Sequence, residues 1–134
     1  MKKIELKEYP LSTELIKDWY MEKMLESFKD KTVPEEFKQM MLDQGIEIDK
    51  IETLININPH SLFEFFDNNE LYIQIGINSA NNNTFYQFKI NDFLIGHFFR
   101  DLKYTTRKET ETNAIIEALD LLENKLKPIE FPVL

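Results

Sequence analysis

Between Leu71 and Asn78 apolar and polar residues alternate without a break. Leu71, Ile73, Ile75 and Ile77 fall to one side, and Tyr72, Gln74, Gly76 and Asn78 to the other. A period of two marks a strand with one buried face. A second run of this kind brings Tyr86, Phe88 and Ile90 together, and the turn formers of Ser79 to Asn83 separate the two. The pair reads as an antiparallel hairpin with a loop of about five residues. An isolated hairpin is marginal in water, so a third strand and a helical cover are expected. Phe93 to Phe99 supplies the strand, with Gly96 at a bulge position.

The cover is best defined from Thr106 onward. Thr106 and Glu109 fit a capping box, in which the two residues satisfy each other's backbone N–H groups. Ile115, Leu119, Leu122 and Leu126 then follow at helical spacing, and Pro128 ends the helix before an apolar, proline-broken tail, residues 128–134. Nearer the start, Ile4 and Leu6 alternate with charges, as in a short strand or an extended lead-in. Ser12 or Thr13 caps a first helix reaching about Lys29, with Leu15, Trp19, Met21, Leu25 and Phe28 on its apolar side. Thr32 to Glu36 starts a second helix, since Pro34 suits a first turn and Glu35 and Glu36 suit the dipole. Phe37, Met40 and Met41 form its apolar side, and Gly45 stops it. Ile46 and Ile48 alternate like a strand, but Ile48, Ile51, Leu54 and Ile55 fit a helix better. Asn58 and Pro59 open another, carrying Leu62, Phe63, Phe65 and Phe66 and ending at Asp67 to Asn69. The expected fold is a single α+β domain over residues 1–134. It has N-terminal helices, an antiparallel sheet of about three strands, and a long C-terminal helix packed on the sheet.

Composition removes several chemistries. There is no cysteine, which excludes thiolate metal sites, disulfides and a cysteine nucleophile. Gly45, Gly76 and Gly96 are the only glycines, and no GxSxG, Walker or GxGxxG pattern occurs, so phosphate cradling by a glycine-rich loop is not expected. Residues 1–8 lack an apolar signal region, and no apolar run approaches the roughly 20 residues of a membrane span. The expected compartment is a bacterial host cytoplasm, with no membrane partner. The net charge of −8 is concentrated: residues 32–70 hold nine acids against Lys38 and Lys50. Phosphate backbones need clustered Lys and Arg, so direct nucleic-acid binding is not expected.

Four constellations bear on function. His60, Glu64 and Asp67 share a helix face if the helix is regular, as a metal or acid–base site would need, though a solvated face is the commoner meaning of such a trio. His97 sits four residues before Asp101 and suits a general base or a half-buried histidine. Tyr72, Phe85, Tyr86 and Phe88 are enough aromatics for a base-stacking platform, but the basic groove that accompanies one is missing and a core role fits better. The acids Glu35, Glu36, Asp43, Glu47, Asp49 and Glu52 offer a surface for a protein partner with a basic face. Phe131 and Leu134 in the apolar tail join them as candidate contact residues. No catalytic residue, metal or cofactor is expected, so the reading is a non-enzymatic acidic binding protein.

The stretch Thr105 to Leu126 resembles the closing helix of small uncharacterised proteins from phages and mobile elements of Bacteroidota-like bacteria. Pro59 to Asp67 followed by a strand has the same character. The resemblance implies an accessory protein that inhibits a bacterial target: a phage inhibitor of a host defence protein, or an immunity protein. The alternative is a homo-oligomeric assembly protein joined through the tail or through Leu119, Leu122 and Leu126. A small-molecule binder using His60 or His97 is a third reading.

Overall fold

A computed structural model of the chain describes residues 2–29, 33–92, 96–98 and 102–127. Thr32, Phe93, Phe99, Asp101 and the tail from Pro128, with Phe131 and Leu134, lie outside the described residues. So do the side chains of Met41 and of residues 96–98, His97 included. The fold is α+β, in the order α1 (Pro10–Ser27), α2 (Glu35–Gln44), α3 (Ile48–Ile57), α4 (Phe63–Asn68), β1 (Tyr72–Ala80), β2 (Asn83–Asn91), β3 (Gly96–Phe98) and α5 (Arg107–Leu126). Short 3₁₀ turns, Leu6–Glu8 and Pro59–Leu62, precede α1 and α4.

The three strands form an antiparallel sheet in the order β1-β2-β3. Its register pairs Ile73 with Ile90, Ile75 with Phe88 and Ile77 with Tyr86, so the apolar alternation does define one face. That face meets α5, which also packs against α1 and the Pro59–Leu62 turn. The helix is therefore enclosed well beyond its leucine stripe. Thr110, Glu111, Thr112 and Asn113 are buried along with Ile115, Ala118, Leu119 and Leu122. Local hydrogen bonds make this tolerable: Thr110 donates to the Thr106 carbonyl at 2.8 Å, and Asn113 to the Glu109 carbonyl at 2.8 Å. The core is completed by Ile4, Leu6, Ile16, Ile51, Ile55, Leu62, Phe65, Phe66 and Leu71.

Three local expectations change, the first being that Asn58 and Pro59 open a 3₁₀ turn, Pro59–Leu62, before α4 instead of one continuous helix. Ser12 and Thr13 do not cap α1. Pro10, with its φ preset for a helix, begins the helix, and Tyr9 stands at the N-cap without a side-chain bond. Thr13 instead donates to the Leu6 carbonyl at 2.8 Å. The hairpin loop is two residues rather than about five, because Ser79, Ala80 and Asn83 are paired in register. Asn81 and Asn82 take φ values of 52° and 64°, a pair of left-handed conformations that asparagine tolerates and that matches the strand twist. The Thr106 cap is present, its side chain accepting from the Glu109 N–H at 3.2 Å. Gly45, at φ 69°, ends α2.

The N-terminal lead-in is extended at Glu5 but turns into the Leu6–Glu8 3₁₀ turn, and it pairs with side chains instead of a strand. Asn56 on α3 accepts from the Ile4 N–H at 2.9 Å and donates to the Ile4 carbonyl at 3.0 Å. One amide group thus satisfies both backbone groups of a residue, as a neighbouring strand would. Glu52 extends the pattern, its Oε1 accepting from the Leu6 N–H at 2.8 Å.

Candidate partner-binding groove

Most of the acid-rich stretch folds into α2 and α3, and these two helices carry six of the eleven exposed large hydrophobics among the described residues. Phe37, Met40 and Leu42 are exposed on α2; Ile48, Leu54 and Ile57 are exposed on α3, with Leu54 at 54% and Ile57 at 65%. Only Ile51 and Ile55 of α3 reach the core. On α2 the ring of Phe37 meets Phe28, the residue that follows α1, edge to face at 6.2 Å, and the helix otherwise touches the described fold lightly. Large hydrophobics exposed singly are ordinary on a monomer, and of these six only Leu54 lines the groove described next.

A groove of about 770 Å³ opens between α1, the α2–α3 turn and α3. Tyr20 and Met24 of α1 form one apolar wall, and Ile46 and Leu54 the other. Two shallower depressions continue it around α3, sharing Ile46 and Glu47 on one side and Lys50 and Leu54 on the other, with Asp49 in both. Its wall charges are Lys23, Glu47 and Lys50. Lys23 is partly neutralised: it donates to Glu64 at 2.7 Å, which holds its ammonium above the ordinary lysine range. Among the described residues, Trp19 Nε1 is the one buried side-chain donor without a partner. Its ring lies 5.2 Å from Tyr20 and 5.8 Å from the Lys23 ammonium, directly behind the groove wall.

The six candidate acids divide. Glu47 stands on the groove wall and Asp49 on its continuation. Glu35, Glu36 and Asp43 are exposed on α2, where Glu35 lies 3.9 Å from Lys38 and Asp43 accepts from Gln39 at 3.1 Å. Glu52 is half-buried and committed to the Leu6 backbone.

The His60 trio and the aromatic platform are not assembled, and the side chains of His97 and Asp101 lie outside the described residues. Pro59–Leu62 is a 3₁₀ turn, so His60 and Glu64 are not on one α-helical face. His60 lies 3.7 Å from Glu111 of α5, and Glu64 turns to Lys23 of α1. Among the described residues no three His, Asp or Glu side chains gather to hold a metal ion. The aromatics also separate. The register puts Tyr72 and Phe85 on the outer face, Phe85 beneath Lys103 at 4.8 Å, while Tyr86 and Phe88 lie on the inner face, Phe88 stacked on Tyr104. His97 is paired through its backbone with Ile90.

A polar cluster that periodicity alone does not reveal joins Tyr9, Tyr104, Glu117 and Asp120 near α5. Burial, then the charge and hydrogen bond of Asp120, push the Tyr9 phenol above its ordinary range. Burial and the charge of Asp120 likewise raise the Glu117 carboxyl, with Lys2 opposing. Tyr104 is raised by burial and then by Glu117 and Glu109. The carboxylates on one α5 face, at 117 and 120, were the available signal.

No family model matches the chain, and no curated protein or solved structure resembles it significantly. No helix among the described residues is long and apolar enough to cross a membrane.

Proposed function

We propose that this chain is a non-enzymatic binding protein of the cytoplasm whose α1–α3 groove receives an amphipathic, basic helical segment of a protein partner. The observation that carries the reading is the coincidence of an apolar-walled groove with acids at its edge. Tyr20, Met24, Ile46 and Leu54 offer apolar contact along the groove, and Glu47 and Asp49 stand beside it. An apolar helix face docking in a groove, with its basic residues meeting acids at the edge, is a recurring recognition mode. A few buried apolar anchors supply most of the affinity and the charges supply selectivity and on-rate. Inhibition or neutralisation of a basic target is the form of binding that the resemblance to mobile-element proteins implies.

Homo-oligomerisation through the leucine stripe is disfavoured, because Leu119 and Leu122 are buried in the chain's own core. The groove reading is tested with a synthetic Lys/Leu amphipathic helix and its Glu/Leu counterpart, read by the fluorescence of Trp19. The basic peptide should bind and the acidic one should not. Leu54→Asp should abolish binding, and reversing Glu35, Glu36, Asp43 and Glu47 to Lys should weaken it by well over tenfold. Equal binding of both peptides, or an affinity untouched by these changes, rejects the proposal.

A further inference from the structure

Among the described strands β1 is an edge strand, and its own sequence carries none of the usual defences. In the described sheet order its only strand partner is β2. Exposed edges are normally blunted by charged residues, proline, a bulge or shortness. Tyr72–Ala80 is nine residues long, regular in register throughout, and contains no charged residue and no proline. Each α-helix and β2 carries charge; β1 does not.

Which backbone groups face outward follows from the turn. In a two-residue hairpin the pair flanking the turn, Ala80 and Asn83, exchanges both hydrogen bonds, and bonded pairs recur at every second residue. Tyr72, Gln74, Gly76, Asn78 and Ala80 therefore bond to β2. Ile73, Ile75, Ile77 and Ser79 turn their N–H and C=O groups to the free edge.

We infer that β1 pairs with β1 of a second copy, antiparallel about a two-fold axis at Gly76, joining two three-stranded sheets. In that register every outward residue meets another outward residue: Ile75 opposes Ile77 of the other copy, and Ile73 opposes Ser79. On the outer face Gln74 meets Asn78, amide against amide, and Gly76 meets Gly76. All nine residues overlap, and an isologous contact of this kind closes as a dimer. Charge selects the occupant. For a chain of net charge −8, two copies repel wherever acids face one another, and β1 is a contact that brings no like charges opposite. Area sets the strength. A nine-residue edge is roughly 30 Å long and, at about one strand's 10 Å depth, covers on the order of 300 Å² per copy. That is below the roughly 1,000 Å² total of a stable interface, so the dimer forms only at high protein concentration. This contact is independent of the groove.

Sedimentation of the purified chain from micromolar to millimolar concentration should show the mass rising from 16.1 kDa towards twice that value. Ile77→Lys, at a side chain 60% exposed, should hold the protein monomeric, while Ile57→Lys on α3, at 65%, should leave association unchanged. Circular dichroism confirms that both remain folded. The register is tested separately, because the chain has no cysteine of its own. At Gly76 an added Cβ meets nothing nearer than 4.0 Å. Two copies of residue 76 would form a non-hydrogen-bonded pair with Cα atoms about 4.5 Å apart, within disulfide reach. Gly76→Cys should oxidise to a covalent dimer, and Gln74→Cys should not. A chain that stays monomeric at millimolar concentration, a dimer indifferent to Ile77→Lys, a dimer broken by Ile57→Lys, or equal crosslinking at 74 and 76 would each overturn the inference.

Discussion

The Glu123 carboxylate of α5 closes the first turn of α1: its Oε2 accepts from both the N–H and the hydroxyl of Ser12 at 2.8 Å, and its Oε1 from the Leu11 N–H at 2.9 Å. A helix start has orphan N–H groups and a partial positive charge, and here a distant acid answers both. Truncation strands the buried Ser12 donors and the part-buried Leu11 N–H, so Glu123→Ala is expected to destabilise the fold by about 2–3 kcal/mol. Ser12→Ala removes one hydrogen bond and should cost about 1 kcal/mol. Urea unfolding followed by Trp19 fluorescence measures both, and a Glu123→Ala loss no larger than that of Ser12→Ala would refute the capping role.

The two α5 carboxylates should respond to pH with opposite signs. Burial resists ionisation of Glu123, but the bonds from Leu11 and Ser12, helped by Lys127, outweigh it and hold the carboxyl below its ordinary 4.5. A lowered folded pKa means stability that is fully present above 4.5 and is lost as pH falls through the folded value. Glu117 is raised above 4.5 by burial and by Asp120, so its ionised form costs stability at neutral pH and that cost fades as acid protonates it. Glu117→Gln should therefore raise Tm at pH 7 by about 2–4 °C, and the gain should shrink as pH falls through the raised value and close only below 4.5. A Glu123→Gln loss that persists unchanged to pH 2, or a Glu117→Gln gain independent of pH, would contradict these assignments.

Left-handed backbone at side-chain-bearing residues gives a third prediction. Glu70 has φ 62° just after α4, where the Leu71 N–H bonds to the Phe66 carbonyl at 2.9 Å and the Glu70 N–H to the Asp67 carbonyl at 3.1 Å. This is the glycine-favouring end of a helix, filled by glutamate. Glu70→Gly should stabilise by about 1 kcal/mol, the lower end of the left-handed penalty. Asn82→Val, a β-branched residue placed at φ 64°, should cost about 1–2 kcal/mol. Thermal melts of the two variants should move in opposite directions.

What was legible in the residues is what short range decides. The faces of β1 and β2, the Thr106 cap and the Gly45 stop depend on neighbours a few positions away, and each stands where the pattern places it. Ser12 read as a cap because its type suits one, but the acceptor that matters lies 111 residues away on Glu123. The loop read as five residues because asparagines mark turns, whereas their tolerance of positive φ lets two of them suffice. His60 and Glu64 parted because a 3₁₀ turn has three residues per turn and interrupts the α-helical register. The acids at 35–52 were visible as charge. Neither the groove beside Glu47 nor the commitment of Glu52 to Leu6 was, since both depend on how α3 lies against α1 and the lead-in.

The reach of Glu123 also bears on the order in which the protein is made. A ribosome has released the lead-in, four helices and the whole hairpin before it adds the residue that completes α1. Asn56 can tie down Ile4 early in synthesis, but the Leu11 and Ser12 amides must stay hydrated until α5 emerges. The first turn of α1 can therefore be completed only once α5 is available, and α5 both covers the sheet and finishes that turn.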